Sequence, residues 1–338
     1  MKRALRLGLG LGVSGLLLWV AFRDVDFGLV MARLGDIRLG YVGLFAMSLA
    51  MIQLCRIFRW GVLIKPFAKI SSGALFRISS VGLLLILVMP LRLGEFSRPF
   101  LLKRECGASM SAGLATVAVE RAIDGLLVTL LFFVTTLALP ARFGVPEPVT
   151  VAAYASLALF GTAALVIVAT LIWGAKVSAL LHRLGDPLAR GLTTKAVDLL
   201  EKFVGGLQAL PDARAVAAVV AYTLAYWAAN GLGYYAVVEA FGWDIPVVAG
   251  FVLVCIVVLG IMIPAGPGHL GTFQAAILIG LGMFGIGASD ATAYGIVVYV
   301  LTVVSHAAFA LPFLMSGRVE LRGLGRAPEE AEGSAQAG

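Results

Sequence analysis

Long hydrophobic stretches recur along almost the whole of this 338-residue chain. They lie at about 7–22, 39–58, 73–91, 108–139, 150–173, 215–241, 246–263, 270–286 and 291–316. None shows the two-residue alternation of a β-strand, and several are long enough to cross a bilayer as a helix, which takes roughly 18–20 residues. The pattern therefore predicts an all-α, polytopic integral membrane protein.

The composition agrees with this prediction and excludes a soluble domain. Hydrophobic residues make up 60% of the chain and charged residues only 13%, whereas about 25% charged residues is usual for soluble domains. The net charge is +7, but the lysines and arginines are scattered through short loops, where such residues normally set membrane orientation. We therefore expect no nucleic-acid partner.

The basic loops predict the orientation of the chain. Basic residues concentrate near the N-terminus and in four further regions, namely 59–69, 98–104, 176–214 and 318–326. Three other loops carry a single arginine between them, namely 140–148, 242–246 and 285–290. Because basic loops stay in the cytoplasm, we expect a multi-pass protein of the cytoplasmic (inner) membrane with both termini inside.

Two segments do not fit a simple count of spans. Segment 73–91 lies between two basic loops, so it must enter the membrane and return as a re-entrant hairpin that turns at 89–95. The uncharged run 245–289 is interrupted by a Pro- and Gly-rich break at 264–271. Loop charge leaves open whether that run forms two full spans or a second hairpin. The predicted topology then has about six full spans plus two re-entrant or broken helical hairpins.

The two breaks share the pattern Pro-x-x-x-Gly, at 90–94 and 264–268, with an offset of 174 residues. One is approached from the cytoplasm and the other from outside, which is what an inverted-topology repeat produces. Broken helices of two such repeats commonly meet at the membrane midplane and form a substrate site.

The remaining polar segments complete the predicted domain organisation. The alternation of charged and apolar residues in 186–210 predicts an amphipathic helix on the cytoplasmic surface, between the two halves. The tail 327–338 is rich in glutamate and small residues, and we expect it to be disordered. A single transmembrane domain then covers 1–326.

Charged residues inside the apolar segments are the first candidates for a functional site, because such residues at membrane depth usually face a protein interior or an aqueous cavity. They form three groups: Arg56 and Arg59; Arg92, Glu95 and Arg98; and Glu120, Arg121 and Asp124. Guanidinium groups at this depth favour a phosphate, which they bind with two hydrogen bonds. We expect Glu95 to bridge the two arginines of its group.

Simpler interpretations of the same charges stay open. Arg56 and Arg59 could anchor a helix end at the headgroup layer. The charges around the first break could form a salt-bridged surface loop, and Arg121 could neutralise Asp124 within one helix.

The second break is the fourth candidate group. Its residues are Pro264, Gly266, Pro267, Gly268, His269, Gly271 and Gln274. Unwound backbone at membrane depth occurs only where it is buried in protein or lines a cavity, and its N–H groups favour an anion. His182 and His306 are interpreted as structural. No nucleotide-binding, metalloprotease or hydrolase motif is present in the sequence, so we expect no cofactor, no metal and no enzymatic activity.

Four motifs occur in an order that is typical of one family: Arg56-x-x-Arg59-Trp60, Pro90-Leu91-Arg92-Leu93-Gly94-Glu95-x-x-Arg98, Glu120-Arg121-x-x-Asp124 and Pro264-x-x-Pro267-Gly268-x-x-Gly271. Over about residues 7–316, the chain resembles the lysylphosphatidylglycerol synthase transmembrane region family. These flippase-like domains also form the membrane half of the multiple peptide resistance factor. Only a short tail follows Arg318, so we expect a stand-alone member without the aminoacyltransferase domain.

The resemblance implies a lipid translocase. Its cargo would be a phosphate-containing lipid, such as aminoacyl-phosphatidylglycerol or a polyprenyl-phosphate-linked lipid. We expect three arginines to engage the phosphate (Arg56, Arg92 and Arg98) and three carboxylates to hold them in place (Glu95, Glu120 and Asp124). A homo-oligomer and a separate lipid-synthesising enzyme stay open as partners.

Two other functions are kept as alternatives. One is a membrane-embedded transferase or phosphatase acting on a polyprenyl phosphate, with Glu95 or Asp124 as general base. The other is a small-anion transporter that uses the same arginines.

Overall fold

The computed structural model describes residues 25–89, 94–140, 142–208, 213–262 and 266–316, together with Gly15, Trp19, Phe22 and Arg23. This part of the chain contains eleven α-helices and no strand. The helices are α1 Phe27–Gly35, α2 Leu39–Ile64, α3 Ser72–Val88, α4 Ser97–Cys106, α5 Met110–Leu137, α6 Glu147–Trp173, α7 Ala175–Gln208, α8 Ala213–Ala240, α9 Val248–Ile261, α10 Leu270–Gly282 and α11 Ala288–Met315. A short 3-10 turn, Pro267–His269, precedes α10.

The helices coincide with the apolar segments that the sequence predicted, which confirms a polytopic α-helical membrane protein. Among the described residues, α2, α6, α8 and α11 are long and apolar enough to cross a membrane. Helix α5 has a comparable length of 28 residues but carries the three charges of the third candidate group. The predicted first span, 7–22, lies almost entirely outside the described residues, and the tail 327–338 lies wholly outside them.

Helix α7 begins earlier than the amphipathic helix predicted at 186–210. It starts at Ala175, directly after the end of α6, because Gly174 adopts a positive φ of 41° and turns the chain there. Pro187 lies inside this helix, so it does not mark the helix start. Val197 is buried whereas Glu201 is exposed, in agreement with an amphipathic helix.

Helices α3 and α4 are the two limbs of the first predicted hairpin. Gly94 lies against the backbone of α3, where a Cβ would be 2.2 Å from the carbonyl oxygen of Leu85. The Ser97 hydroxyl donates a hydrogen bond to the carbonyl oxygen of Gly82, at 3.3 Å. The chain therefore turns back along α3. Both limbs are shorter than the roughly 20 residues that a full crossing requires, as expected of a re-entrant hairpin.

Helices α9 and α10 form a second hairpin, which resolves the alternative that loop charge left open. They pack antiparallel, since Gly260 faces Ala276 near the break and Leu253 faces Gly280 at the far end. The limbs have 14 and 13 residues, or about 20 Å each. Because the hydrocarbon core is about 30 Å thick, two full spans are excluded for this pair.

The helices recur at the same 174-residue offset as the two breaks. Helices α2, α3, α4 and α5 correspond to α8, α9, α10 and α11, and each partner begins within four residues of the position that this offset gives. Helices α2 and α8 run antiparallel. At one end the Arg38 N–H donates to the Ala240 carbonyl at 2.9 Å, and at the other the Phe58 and Tyr222 rings stack at 5.9 Å. This arrangement agrees with the predicted inverted repeat.

The tips of the two hairpins meet inside the helical bundle. The 3-10 turn Pro267–His269 contacts α3 of the first hairpin. The larger hydrophobic core packs around the second hairpin, and a smaller core packs around the first. Residues from both breaks are thereby brought to one place, although 174 residues separate them in sequence.

Candidate functional site

Arg59 on α2 lies at the centre of a buried ion-pair network. Its two terminal nitrogens donate hydrogen bonds to the two carboxylate oxygens of Asp124, at 2.6 and 2.8 Å. Its Nε lies 3.5 Å from Oε1 of Glu120, and both of these side chains are only 1% exposed. Thr223 on α8 accepts a further hydrogen bond at 3.3 Å. This burial does not fit the interpretation of Arg59 as an anchor in the headgroup layer.

Glu120 joins Arg59 to a second arginine, Arg98 on α4. The Arg98 Nη2 lies 2.6 Å from Oε2 of Glu120, and the side chain is 1% exposed. Its guanidinium also lies 5.5 Å from the ring centroid of Trp60. Burying a charge is costly unless it is paired in this way. The network therefore holds α2, α4 and α5 together.

One expected pairing and one of the simpler interpretations are wrong. Glu120 bridges two arginines, whereas Glu95 forms no ion pair with Arg98, because residues 94–96 form a 3-10 turn before α4 begins at Ser97. Asp124 is neutralised by Arg59 across the helix interface, not by Arg121 on its own helix. Arg92 lies outside the described residues, so its predicted coupling to Glu95 is untested.

A cavity of about 390 Å³ lies where the two hairpin tips meet. Five of the candidate residues line it: Arg56, Glu95, Arg121, Asp124 and His269. Much of the remaining wall is apolar or aromatic, and it includes Phe160, Tyr226 and Trp227. The cavity thus combines charged groups with an apolar surface, which is the usual character of a small-molecule site.

The charges around the cavity are not balanced. Within the described residues, the cluster holds four arginines and three carboxylates: Arg56, Arg59, Arg98 and Arg121, with Glu95, Glu120 and Asp124. One positive charge is therefore in excess. Arg56 forms no hydrogen bond or ion pair with the described residues, and the Nε of Arg121 is buried without a hydrogen-bond acceptor. An anion in the cavity would satisfy both groups.

The second break places its glycines in a tightly packed turn. Gly268 has a positive φ of 73°, and its carbonyl oxygen accepts a hydrogen bond from the Tyr299 hydroxyl at 3.1 Å. A Cβ at this position would lie 2.3 Å from that hydroxyl, so only glycine fits. The turn directs His269 into the cavity wall.

Among the described candidates of the second break, Gly266, Gly268, Gly271 and Gln274 do not line the cavity. Gly266 and Gly271 are buried. Gln274 is buried against Gly295 of α11, where a Cβ would lie 2.5 Å from the Gln274 Oε1. Pro264 and the side chain of Pro267 lie outside the described residues.

Several residues of the cavity wall were not among those predicted from the sequence. His306, interpreted as structural, lines the cavity, and its Nδ1 lies 2.8 Å from the Thr302 carbonyl oxygen. Tyr226 and Trp227 follow Thr223 by one helical turn on α8, and Tyr226 places its ring 5.6 Å from the Arg59 guanidinium carbon. The 174-residue offset could have indicated the residues on α8, because it relates α8 to α2, the helix that carries Arg56 and Arg59.

Fold and site together define a polytopic membrane protein with an arginine-rich cavity at the meeting point of two broken helical hairpins. The family model described as the lysylphosphatidylglycerol synthase TM region matches residues 7–310. The chain therefore belongs to this family, as the resemblance indicated, and membership supports a function related to membrane lipids. No curated protein and no solved structure matches the chain significantly.

Proposed function

We propose that this protein moves an intact lipid with a phosphate-containing headgroup between the leaflets of the cytoplasmic membrane. The observation that carries the proposal is the cavity at the hairpin tips, which Arg56 and Arg121 line without ion pairs to the described residues. Breaks from two inverted repeats that meet at one site are typical of transporters. Family membership supports a lipid as the cargo.

In this proposal the arginines have different roles. Arg56 and Arg121 face the open space, where each guanidinium can donate two hydrogen bonds to a phosphate. Arg98 forms an ion pair with Glu120 and does not line the cavity, so its role is to position that carboxylate. Arg92 stays a predicted phosphate ligand outside the described residues.

The headgroup would enter the cavity while the lipid tails stay in the bilayer. A volume of about 390 Å³ is that of a small-molecule site, which suits a headgroup better than a whole lipid. Phe160 of α6 forms part of the wall and packs against Gly125. Helix α6 is mostly exposed, so a tail passing Phe160 would reach the surrounding lipid directly.

Aminoacyl-phosphatidylglycerol and a polyprenyl-phosphate-linked lipid are both retained as cargo, and either would be made by a separate enzyme. The proposal includes no covalent chemistry. In the enzymatic alternative, Asp124 is a poor general base because its two oxygens accept hydrogen bonds from Arg59. Glu95 would have to act instead.

The proposal is tested with purified protein in liposomes. Fluorescent analogues of an anionic phospholipid, aminoacyl-phosphatidylglycerol and polyprenyl phosphate are compared for access to an external quencher. We expect at least one to exchange faster than in empty liposomes. Arg56→Gln should slow that exchange by about tenfold or more, since a hydrogen bond to a charged group contributes about 1.5–3 kcal/mol. Lys65→Gln is the matched control, because Lys65 is exposed and lies outside the cavity.

Three results would contradict the proposal. Recovery of a chemically altered lipid would favour the enzyme. Transport of inorganic phosphate in the absence of lipid exchange would favour the small-anion transporter. Equal exchange rates in protein-containing and empty liposomes for all three analogues would exclude lipid translocation of these classes.

A further inference from the structure

Trp227 on α8 carries a buried hydrogen-bond donor that no described residue satisfies. Its side chain lines the cavity and is 4% exposed, and its indole Nε1 has no acceptor within the described residues. A buried indole N–H normally finds a partner. Trp60, which is also buried, follows that rule, since its Nε1 donates to the Thr116 hydroxyl at 3.1 Å.

The chemistry of this donor restricts what it can bind. Indole is neutral and only donates, and the apolar side chains of Val128, Val258 and Ile261 line the same cavity. The positive charges that suit a phosphate are on Arg56 and Arg121. An uncharged oxygen that lies beside the phosphate is the matching acceptor for Trp227.

We propose that the Trp227 indole N–H donates a hydrogen bond to a neutral oxygen of the bound lipid, next to its phosphate. This inference rests on the proposed function, because it takes the cavity as the lipid site. In a glycerophospholipid that oxygen is either an ester carbonyl or a headgroup hydroxyl. A polyprenyl monophosphate has neither, so Trp227 selects against that lipid and for one that offers an ester carbonyl or a headgroup hydroxyl beside its phosphate.

The experiment measures binding with the full chain in detergent by native mass spectrometry. The probes are dioleoyl-phosphatidylglycerol, its dialkyl ether analogue, which lacks the ester carbonyls, and dioleoyl-phosphatidic acid, which lacks the headgroup hydroxyls. Trp227→Phe keeps an aromatic ring and removes the N–H. We expect this variant to bind dioleoyl-phosphatidylglycerol about fivefold more weakly than the wild type, the size of one neutral hydrogen bond.

Trp243→Phe is the matched control. Trp243 stacks on Phe241, with ring centroids 4.8 Å apart, and does not line the cavity. This variant should bind all three probes as the wild type does.

The probes identify the acceptor. If it is the ester carbonyl, Trp227→Phe weakens binding of both diacyl lipids and leaves the ether analogue unaffected. If it is the headgroup hydroxyl, the variant weakens binding of dioleoyl-phosphatidylglycerol and its ether analogue but not of phosphatidic acid. Unchanged binding of all three, equal weakening of all three, or no saturable binding by the wild type would overturn the inference.

Binding and transport are measured separately, so the two proposals can fail independently. A wild-type protein that shows the expected discrimination but does not exchange lipid contradicts only the proposed function. A protein that exchanges phosphatidylglycerol, with Trp227→Phe binding all three probes like the wild type, contradicts only the role of Trp227.

Discussion

Asp124 accepts hydrogen bonds from both terminal nitrogens of Arg59, at 2.6 and 2.8 Å, across 65 residues of sequence. Asp124 lines the cavity, whereas Arg59 lies behind the wall and also faces Glu120. The pair therefore ties the cavity surface to the buried network and fixes α2 against α5. Without Arg59, Asp124 would have no ion-pair partner among the described residues.

We expect Arg59→Ala to destabilise the protein by about 3–5 kcal/mol, because it leaves buried carboxylate charge without compensation. The measurement is the unfolding transition of the purified protein in detergent. Arg33→Ala removes an arginine from an exposed ion pair, in which Nε lies 2.7 Å from Asp290 and the arginine is 46% exposed. That control should lose only about 0–1 kcal/mol. Similar losses in the two variants would show that the buried network is not needed for stability.

We expect Gly94→Ala to disrupt the first hairpin. The added Cβ would lie 2.2 Å from the carbonyl oxygen of Leu85 and 2.5 Å from the Cα of Ile86. These are backbone atoms of α3, so they cannot move aside as a flexible side chain can. The expected loss is about 2 kcal/mol or more, measured by the same unfolding transition.

Gly161→Ala is the control for this substitution. It lies inside α6, and the nearest atom to an added Cβ is a Leu157 side-chain carbon at 4.0 Å. Alanine is the better helix former by about 1 kcal/mol, so this variant should be as stable as the wild type or slightly more stable. Equal tolerance of both alanines would contradict the close approach of the hairpin limbs.

The orientation of the chain is tested with single cysteines at Arg142 and Arg190, after Cys55, Cys106 and Cys255 have been replaced. Both positions are exposed. The distribution of basic residues places the 140–148 loop outside and α7 in the cytoplasm. An impermeant thiol reagent applied to intact cells should therefore label position 142 and not position 190. Labelling of both positions from outside would refute the topology.

The sequence by itself determined the membrane-spanning character, the first hairpin and five of the residues that line the cavity. Hydrophobic segments can be recognised from the sequence alone, because the transfer of apolar side chains out of water depends on each segment's own composition. The helix breaks can also be predicted from the sequence alone, since proline and glycine interrupt a helix through their own backbone properties. Charges such as Arg56, Glu95 and Arg121 were found for the same reason, because each stands out within its own apolar segment.

Only the tertiary structure decided which charges pair. Glu120, and not Glu95, bridges two arginines. Asp124 pairs with Arg59 on α2 instead of Arg121 on its own helix. The second hairpin and the place of Trp227 in the cavity wall were decided in the same way. These contacts depend on the register of helices far apart in sequence, and a buried charge takes the partner that the packing brings within reach.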